Sequence, residues 1–315
     1  MSKEFSNSDD SLEELDLSED EYNNNLYNFL VNINLDWPSQ TVVYKENKIY
    51  VGLNPDVEHS NEACIQEITF EDNSIGKIIN VKSTVVSEPI NRIRLNDEYI
   101  YAVSDNKLMI FNFDLKLIKE ISNQYSYGLF VNNEYQYVGT KNGLIDVYKG
   151  LELIKTLTIH EDKIESIVVN EYLYTASCDK TVKISTLEGE NLKTFTNDCD
   201  VNTISVWDNK IVFGDDKGVI TIVNGDNKEQ IKGSECPIES IKFIDDGVFV
   251  SGNEKEVCFW DLNLLNDSRM TKYLLFVHSS ESFYKDIALI EENKIAISSN
   301  NGIIICSSIS LSKID

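Results

Sequence analysis

The clearest signals in this 315-residue chain are the things it has little of. It has three histidines, His59, His160 and His278, and none stands at metal-ligand spacing or in an H-E-x-x-H pattern. His160, before Glu161-Asp162-Lys163, reads as a structural histidine. The six cysteines (Cys64, Cys178, Cys199, Cys236, Cys258 and Cys306) form no C-x-x-C pair and no cluster with histidine. That excludes zinc-finger ligation and argues against a secreted disulfide framework, so they read as free thiols in a reducing compartment. Apolar runs of about 18 residues are absent, as is an apolar leader, and the expectation is a soluble intracellular protein. Neither a G-x-S-x-G, a P-loop nor a G-x-G-x-x-G is present. Asp215-Asp216 beside Gly214 does not follow the EF-hand pattern. No catalytic, cofactor-binding or metal residue is expected.

Basic charge is the other scarcity. Acidic residues number 53 against 28 basic ones, a net charge of −25. Only Arg92, Arg94 and Arg269 are arginines, a shortage read here as compositional bias. A chain this acidic repels nucleic-acid phosphates and anionic lipid and attracts basic proteins. No nucleic-acid or membrane partner is expected.

What is present is a period. Asn91-Arg92-Ile93, Glu165-Ser166-Ile167, Asn202-Thr203-Ile204 and Glu239-Ser240-Ile241 start 74, 37 and 37 residues apart, with Gly128-Leu129-Phe130 filling the gap. Ala102, Gly139, Ala176, Phe213 and Val250 repeat the 37-residue spacing. In one unit, residues 163–169, 172–177, 180–186 and 191–196 read as strands separated by turn residues. Four short strands per unit, rich in Ile, Val, Tyr and Phe, match a propeller blade rather than a helical solenoid. An irregular unit over 41–70 precedes the array, and a last one over 286–308 shows only three strands. An N-terminal strand is expected to complete that last blade and close the ring. The fold expected is all-β, a seven-bladed WD-repeat β-propeller over 35–315.

The N-terminal residues differ. Residues 1–36 hold ten acids against Lys3, a net of −9 (1 − 10). Residues 1–18 read as a disordered acidic tail. Ser18 with Glu21 forms a capping-box pattern, and Leu26, Phe29, Leu30 and Ile33 make one apolar stripe. These predict a helix over 19–34, packed on the propeller's flank. Candidate partner-binding residues are Asp9, Asp10, Glu13, Glu14, Asp16, Glu19, Asp20 and Glu21, with Asp215 and Asp216 in the array.

Several segments, in order, resemble known families. Trp260-Asp261 is a Trp-Asp dipeptide of WD repeats. Leu35-Asp36-Trp37-Pro38-Ser39-Gln40-Thr41 and Leu274-Leu275-Phe276-Val277-His278 with Lys285-Asp286-Ile287 are similar to two related groups. These are the histone-binding WD-repeat chaperones of the retinoblastoma-binding type and the glutamate-rich WD-repeat proteins, or regulators of ribosome biogenesis. Asn91-Arg92-Ile93-Arg94, Asp200-Val201-Asn202-Thr203-Ile204-Ser205 and Gly247–Gly252 resemble the glutamate-rich family more closely. Two features depart from these families: the acidic run is thinned, and the loop over 263–272 offers only Asp267, opposed by Arg269. The resemblance implies a non-enzymatic nuclear or nucleolar factor with a cytoplasmic pool, monomeric outside its complexes. It would escort a basic L3-type ribosomal protein in large-subunit assembly. The alternatives are a histone chaperone or chromatin-complex subunit, and a general scaffold or adaptor.

Overall fold

In a strand-rich ring, the depth of each strand decides which side chains it can carry. The computed structural model describes residues 27–71, 74–264, 272–279, 282–291 and 294–308. These form seven four-stranded antiparallel sheets. Six blades run in chain order over residues 39–85, 92–122, 125–158, 164–196, 201–232 and 240–279. The seventh combines three strands over 284–308 with Tyr27–Asn34.

The four strands expected in the unit over 163–196 are present as Ile164–Val169, Leu173–Ser177, Thr181–Ser185 and Asn191–Thr196. Leu173–Ser177 is buried along its whole length because it is sandwiched between neighbouring blades. Asn191–Thr196 is the outer edge and buries only Phe195. Second strands therefore read as continuous apolar runs and outer strands as polar ones.

Apolar clusters fill the spaces between successive blades. Tyr174, Ala176 and Val182 meet Val201, Ile204 and Phe213 of the next blade. Hydroxyls tie adjacent inner strands: Thr203 Oγ1 accepts from Ile241 N at 2.9 Å, and Ser205 Oγ from Phe243 N at 3.0 Å. Burying one Val, Ile or Phe contributes about 1.5–3 kcal/mol. An exposed ion pair contributes about 0–1 kcal/mol. The ring is thus held by its interblade clusters rather than by surface ion pairs.

Tyr27–Asn34 pairs antiparallel with Gly302–Ser308, Leu30 opposite Cys306 and Ile33 opposite Ile303. An N-terminal strand does close the ring. This corrects the helix expected over 19–34: from Tyr27 onward the chain is a strand, and the propeller begins there rather than at residue 35. Phe29, Val31 and Ile33 share one face while Tyr27, beyond a register shift, packs with Leu30 on the other, and a strand here pairs the edge of Gly302–Ser308 that a helix would leave open. The rest of that expected helix and the tail over 1–18 lie outside the described residues. All six cysteines are unpaired, with Cys236, Cys258 and Cys306 buried.

Candidate functional site

Antiparallel blades put their loops on two faces. The upper face carries the loops that lead into the first and third strands of each blade. The lower face carries the turns between the first and second strands and between the third and fourth.

On the upper face, His160 is a fold element. Its Nδ1 lies 2.8 Å from Asp179 Oδ2, and its Nε2 lies 2.7 Å from Thr175 Oγ1. Asp179 also accepts from Thr181 Oγ1 at 2.6 Å and Glu161 N at 3.2 Å. Burial pushes the imidazole's pKa down, and Asp179 opposes that only in part. The network pins the loop between blades to the turn between strands, as a structural histidine should. Among the described residues, no group of three His, Cys, Asp or Glu side chains is placed to hold a metal ion.

The sequence-predicted acids separate. Asp215 is buried, and its carboxylate accepts from Asn197 Nδ2 at 2.8 Å and from Lys217 N and Val219 N at 2.9 Å. It is a turn residue satisfied by its own loop. Asp216 is exposed at the upper mouth of the central channel, where Asn202 Nδ2 reaches it at 2.8 Å. Asp9, Asp10, Glu13, Glu14, Asp16, Glu19, Asp20 and Glu21 lie outside the described residues. Exposed Glu161, Asp162 and Asp198 share Asp216's face and have no ion-pair partner among the described residues.

The lower face repeats a turn that sequence reading did not single out. Asn96 Oδ1 accepts from Glu98 N and Tyr99 N at 2.9 and 2.7 Å. Asn132 Oδ1 does the same for Glu134 N and Tyr135 N. Asn170 Oδ1 accepts from Tyr172 N at 3.1 Å. Each asparagine shapes the turn and leaves a glutamate and a tyrosine side by side at the rim. The next blade offers Trp207-Asp208 instead. Lysines neutralise some of these acids: Lys45 pairs with Asp97 at 2.9 Å, Lys149 with Glu134 at 3.1 Å and Lys210 with Asp246 at 2.7 Å. Glu171 and Asp208 have no such partner among the described residues, and Tyr172 and Trp207 beside them are 41% and 37% exposed. The signal was available as Asn-x-Glu-Tyr in two successive units and Asn-Glu-Tyr in the next.

The central channel holds the second feature missed. Asp286, on the inner strand Tyr284–Glu291, accepts from Arg94 Nη1 at 2.9 Å and Arg92 Nη1 at 3.1 Å. Thr41 Oγ1 donates to it at 3.0 Å and Val42 N at 3.3 Å. Burial pushes this carboxyl's pKa up, but Arg94, Arg92 and the hydrogen bonds outweigh it and hold it at about 2. Lys242 lines the same channel. The shortage of arginine hid the signal, because two of the chain's three arginines stand here.

Residues 151–184, the outer strand of the third blade and most of the fourth, match the WD domain, G-beta repeat family. The fold is similar to the crystal structure of the WD40 β-propeller domain of Doa1, with a TM-score of 0.71 and 16% identity, covering 90% of this chain and 96% of that one. It is also similar to the crystal structure of the RRP9 WD40 repeats, with a TM-score of 0.71 and 14% identity, covering 89% and 97%. Identities this low establish fold alone. No curated protein sequence matches the chain.

Proposed function

We propose, from a WD40-type propeller with a net charge of −25, that this protein works by binding a basic protein and catalyses no reaction. In this reading it is an acidic chaperone for an L3-type ribosomal protein in large-subunit assembly, acting in the nucleus and nucleolus. A ribosomal protein away from its RNA is a cation that lacks its phosphates, and an acidic ring substitutes for them temporarily.

The observation that carries the reading is the lower rim at Glu171-Tyr172 and Trp207-Asp208. Exposed ion pairs contribute about 0–1 kcal/mol each and are screened beyond about 8 Å at physiological salt. Charge alone therefore recruits a client without choosing it. Affinity needs aromatic anchors, and an aromatic face next to a carboxylate suits a lysine or arginine side chain. The acids of residues 9–21 would add long-range attraction.

The sequence around 263–272 favours a ribosomal client over a histone. A histone helix clasped between that loop and the N-terminal segment needs acids on both walls, because its cations lose water there. This loop has a single acid, Asp267, beside Arg269, and its end at Lys272 is already tied to Glu229. In direct competition at equal salt, the full-length protein is expected to bind an L3-type ribosomal protein at least ten-fold tighter than a histone H3–H4 pair, about 1.4 kcal/mol. Histones winning would move the reading to the histone chaperones that the Trp37-Pro38-Ser39 segment resembles. Binding to neither would leave a general adaptor.

A further inference from the structure

The channel carries a charge opposite to that of the molecule. Its middle is a cavity of about 240 Å³ lined by Arg92, Arg94, Lys242 and a single carboxylate, Asp286. Three cations against one anion leave +2 (3 − 1) inside a chain whose net charge is −25. The acids of the upper mouth act mainly on their own cations, although Glu165 also reaches Arg92, and among the described residues no acid lines the lower opening at Arg94 and Lys242. Glu239 pairs with Lys285 at 2.9 Å, and Glu165 lies 3.4 Å from Lys163 and accepts from Cys178 Sγ.

The cations are also incompletely used. Lys242 has no hydrogen-bond or ion-pair partner among the described residues, yet it is exposed to the water of the channel. The Nε of Arg92 is buried without a partner. The enclosing channel walls strip bulk water from Lys242 and hold its pKa down, and Arg94 and Arg92 push it down further despite Asp286. Such a cluster is destabilising unless something answers it.

Neutral donors surround the same space. Thr203 and Ser205 accept from the backbone of the next inner strand and have no acceptor for their own hydroxyl protons among the described residues. Ser240 Oγ is buried without a partner. The cavity is well above the minimum needed to hold one water and has room for a small oxyanion and its hydration. A second cavity shares Arg94 and Lys242 and opens between Tyr44, Leu95 and Leu289. A ligand can thus arrive from the lower face without passing the acidic upper mouth.

We infer that the channel is a binding site for a small divalent oxyanion of the phosphate class, held by Lys242, Arg94 and Arg92 with the hydroxyls of Thr203, Ser205 and Ser240. Charge selects the class: a phosphate at pH 7 carries about −1.5 to −2, matching the excess, and guanidinium groups present paired donors to its oxygens. Asp286 positions both arginines and offsets the repulsion between them. The site is independent of any client on the rims.

The test is ³¹P NMR and calorimetric titration of the full-length protein at pH 7.5 with orthophosphate and with pyrophosphate, in chloride buffer of matched ionic strength. Saturable one-to-one binding is expected, weakened at least ten-fold by Lys242→Met. Because Lys242 bonds no protein group, that variant should melt in chloride at or above the wild-type temperature, which separates a lost ligand from a damaged fold. Absence of saturable binding by both anions would overturn the assignment, as would binding that Lys242→Met leaves unchanged.

Discussion

Gly302 faces the carbonyl of Ile33 so closely that a Cβ on it would lie 2.0 Å from that oxygen. Its φ of +146° is one that only glycine adopts without strain. The last and first strands among the described residues meet at this contact, so the closure of the ring depends on the absence of a side chain there.

Gly302→Ala is therefore expected to destabilise the protein by at least about 2 kcal/mol, from backbone strain of about 1–3 kcal/mol plus the clash. Urea denaturation measures it. A wild-type midpoint would mean that Tyr27–Asn34 does not close the seventh blade.

This closure also shows where the sequence was legible and where it was not. The strand bounds of the fourth blade could be read to within a residue, because 37-residue repetition and local alternation agree there. Leu26, Phe29, Leu30 and Ile33 satisfy a helical stripe, while Phe29, Val31 and Ile33 satisfy a strand. The choice is made by an open edge at the other end of the chain, which no local window contains. Asp215 and Asp216 are adjacent and alike in sequence, yet turn geometry buries one and presents the other. The channel cluster joins Thr41, Arg92, Arg94, Lys242 and Asp286 from four blades, so only the ring brings them together.

Asp286 gives the second expected outcome. Asp286→Asn leaves Arg92 and Arg94, both partly buried, without their carboxylate and should cost about 3–5 kcal/mol. The pH dependence follows from its pKa, about 2 in the folded chain against an ordinary 3.8. A depressed acid stabilises the fold above its unfolded pKa, and that stability is lost as pH falls from about 4 towards 2. The contribution is about 2 kcal/mol. Melting curves across this window should fall less steeply for Asp286→Asn than for the wild type. Parallel curves would show that Asp286 is not the group held down.

His160 acts at milder pH and with the same sign. Its pKa lies below 6.5 in the fold because burial disfavours the imidazolium. The unfolded chain binds the proton first, so stability falls as pH drops through about 6.5. His160→Ala leaves Asp179 and Thr175 short of a partner and should cost about 2 kcal/mol or more at pH 7.5. Between pH 7 and 5.5 the variant should lose less stability than the wild type. Some slope remains, since His278 is also held down by burial. A slope unchanged by the substitution would place a charged imidazole in the fold.

Client binding tests whether the lower rim or bulk charge is responsible. If negative charge alone held the client, replacing Glu161, Asp162, Asp198 and Asp216 on the upper face would weaken binding as much as replacing any four exposed acids. Under the anchor argument, Tyr172→Ala and Trp207→Ala are expected to weaken a basic client by about ten- to thirty-fold each, roughly 1.4–2 kcal/mol. Neither residue is needed by the core: both sit at turns, 41% and 37% exposed, so the fold should keep its melting temperature within a few degrees. Charge reversal at residues 9–21 should act differently, flattening the salt dependence between about 50 and 500 mM, because attraction across solvent is screened within about 5 Å at the higher salt. The two classes of variant thus separate by their response to salt: loss of an aromatic anchor lowers affinity at every ionic strength, and loss of a tail acid only at low ones. Binding that ignores Tyr172 and Trp207 but follows the upper-face acids would move the client to the opposite rim.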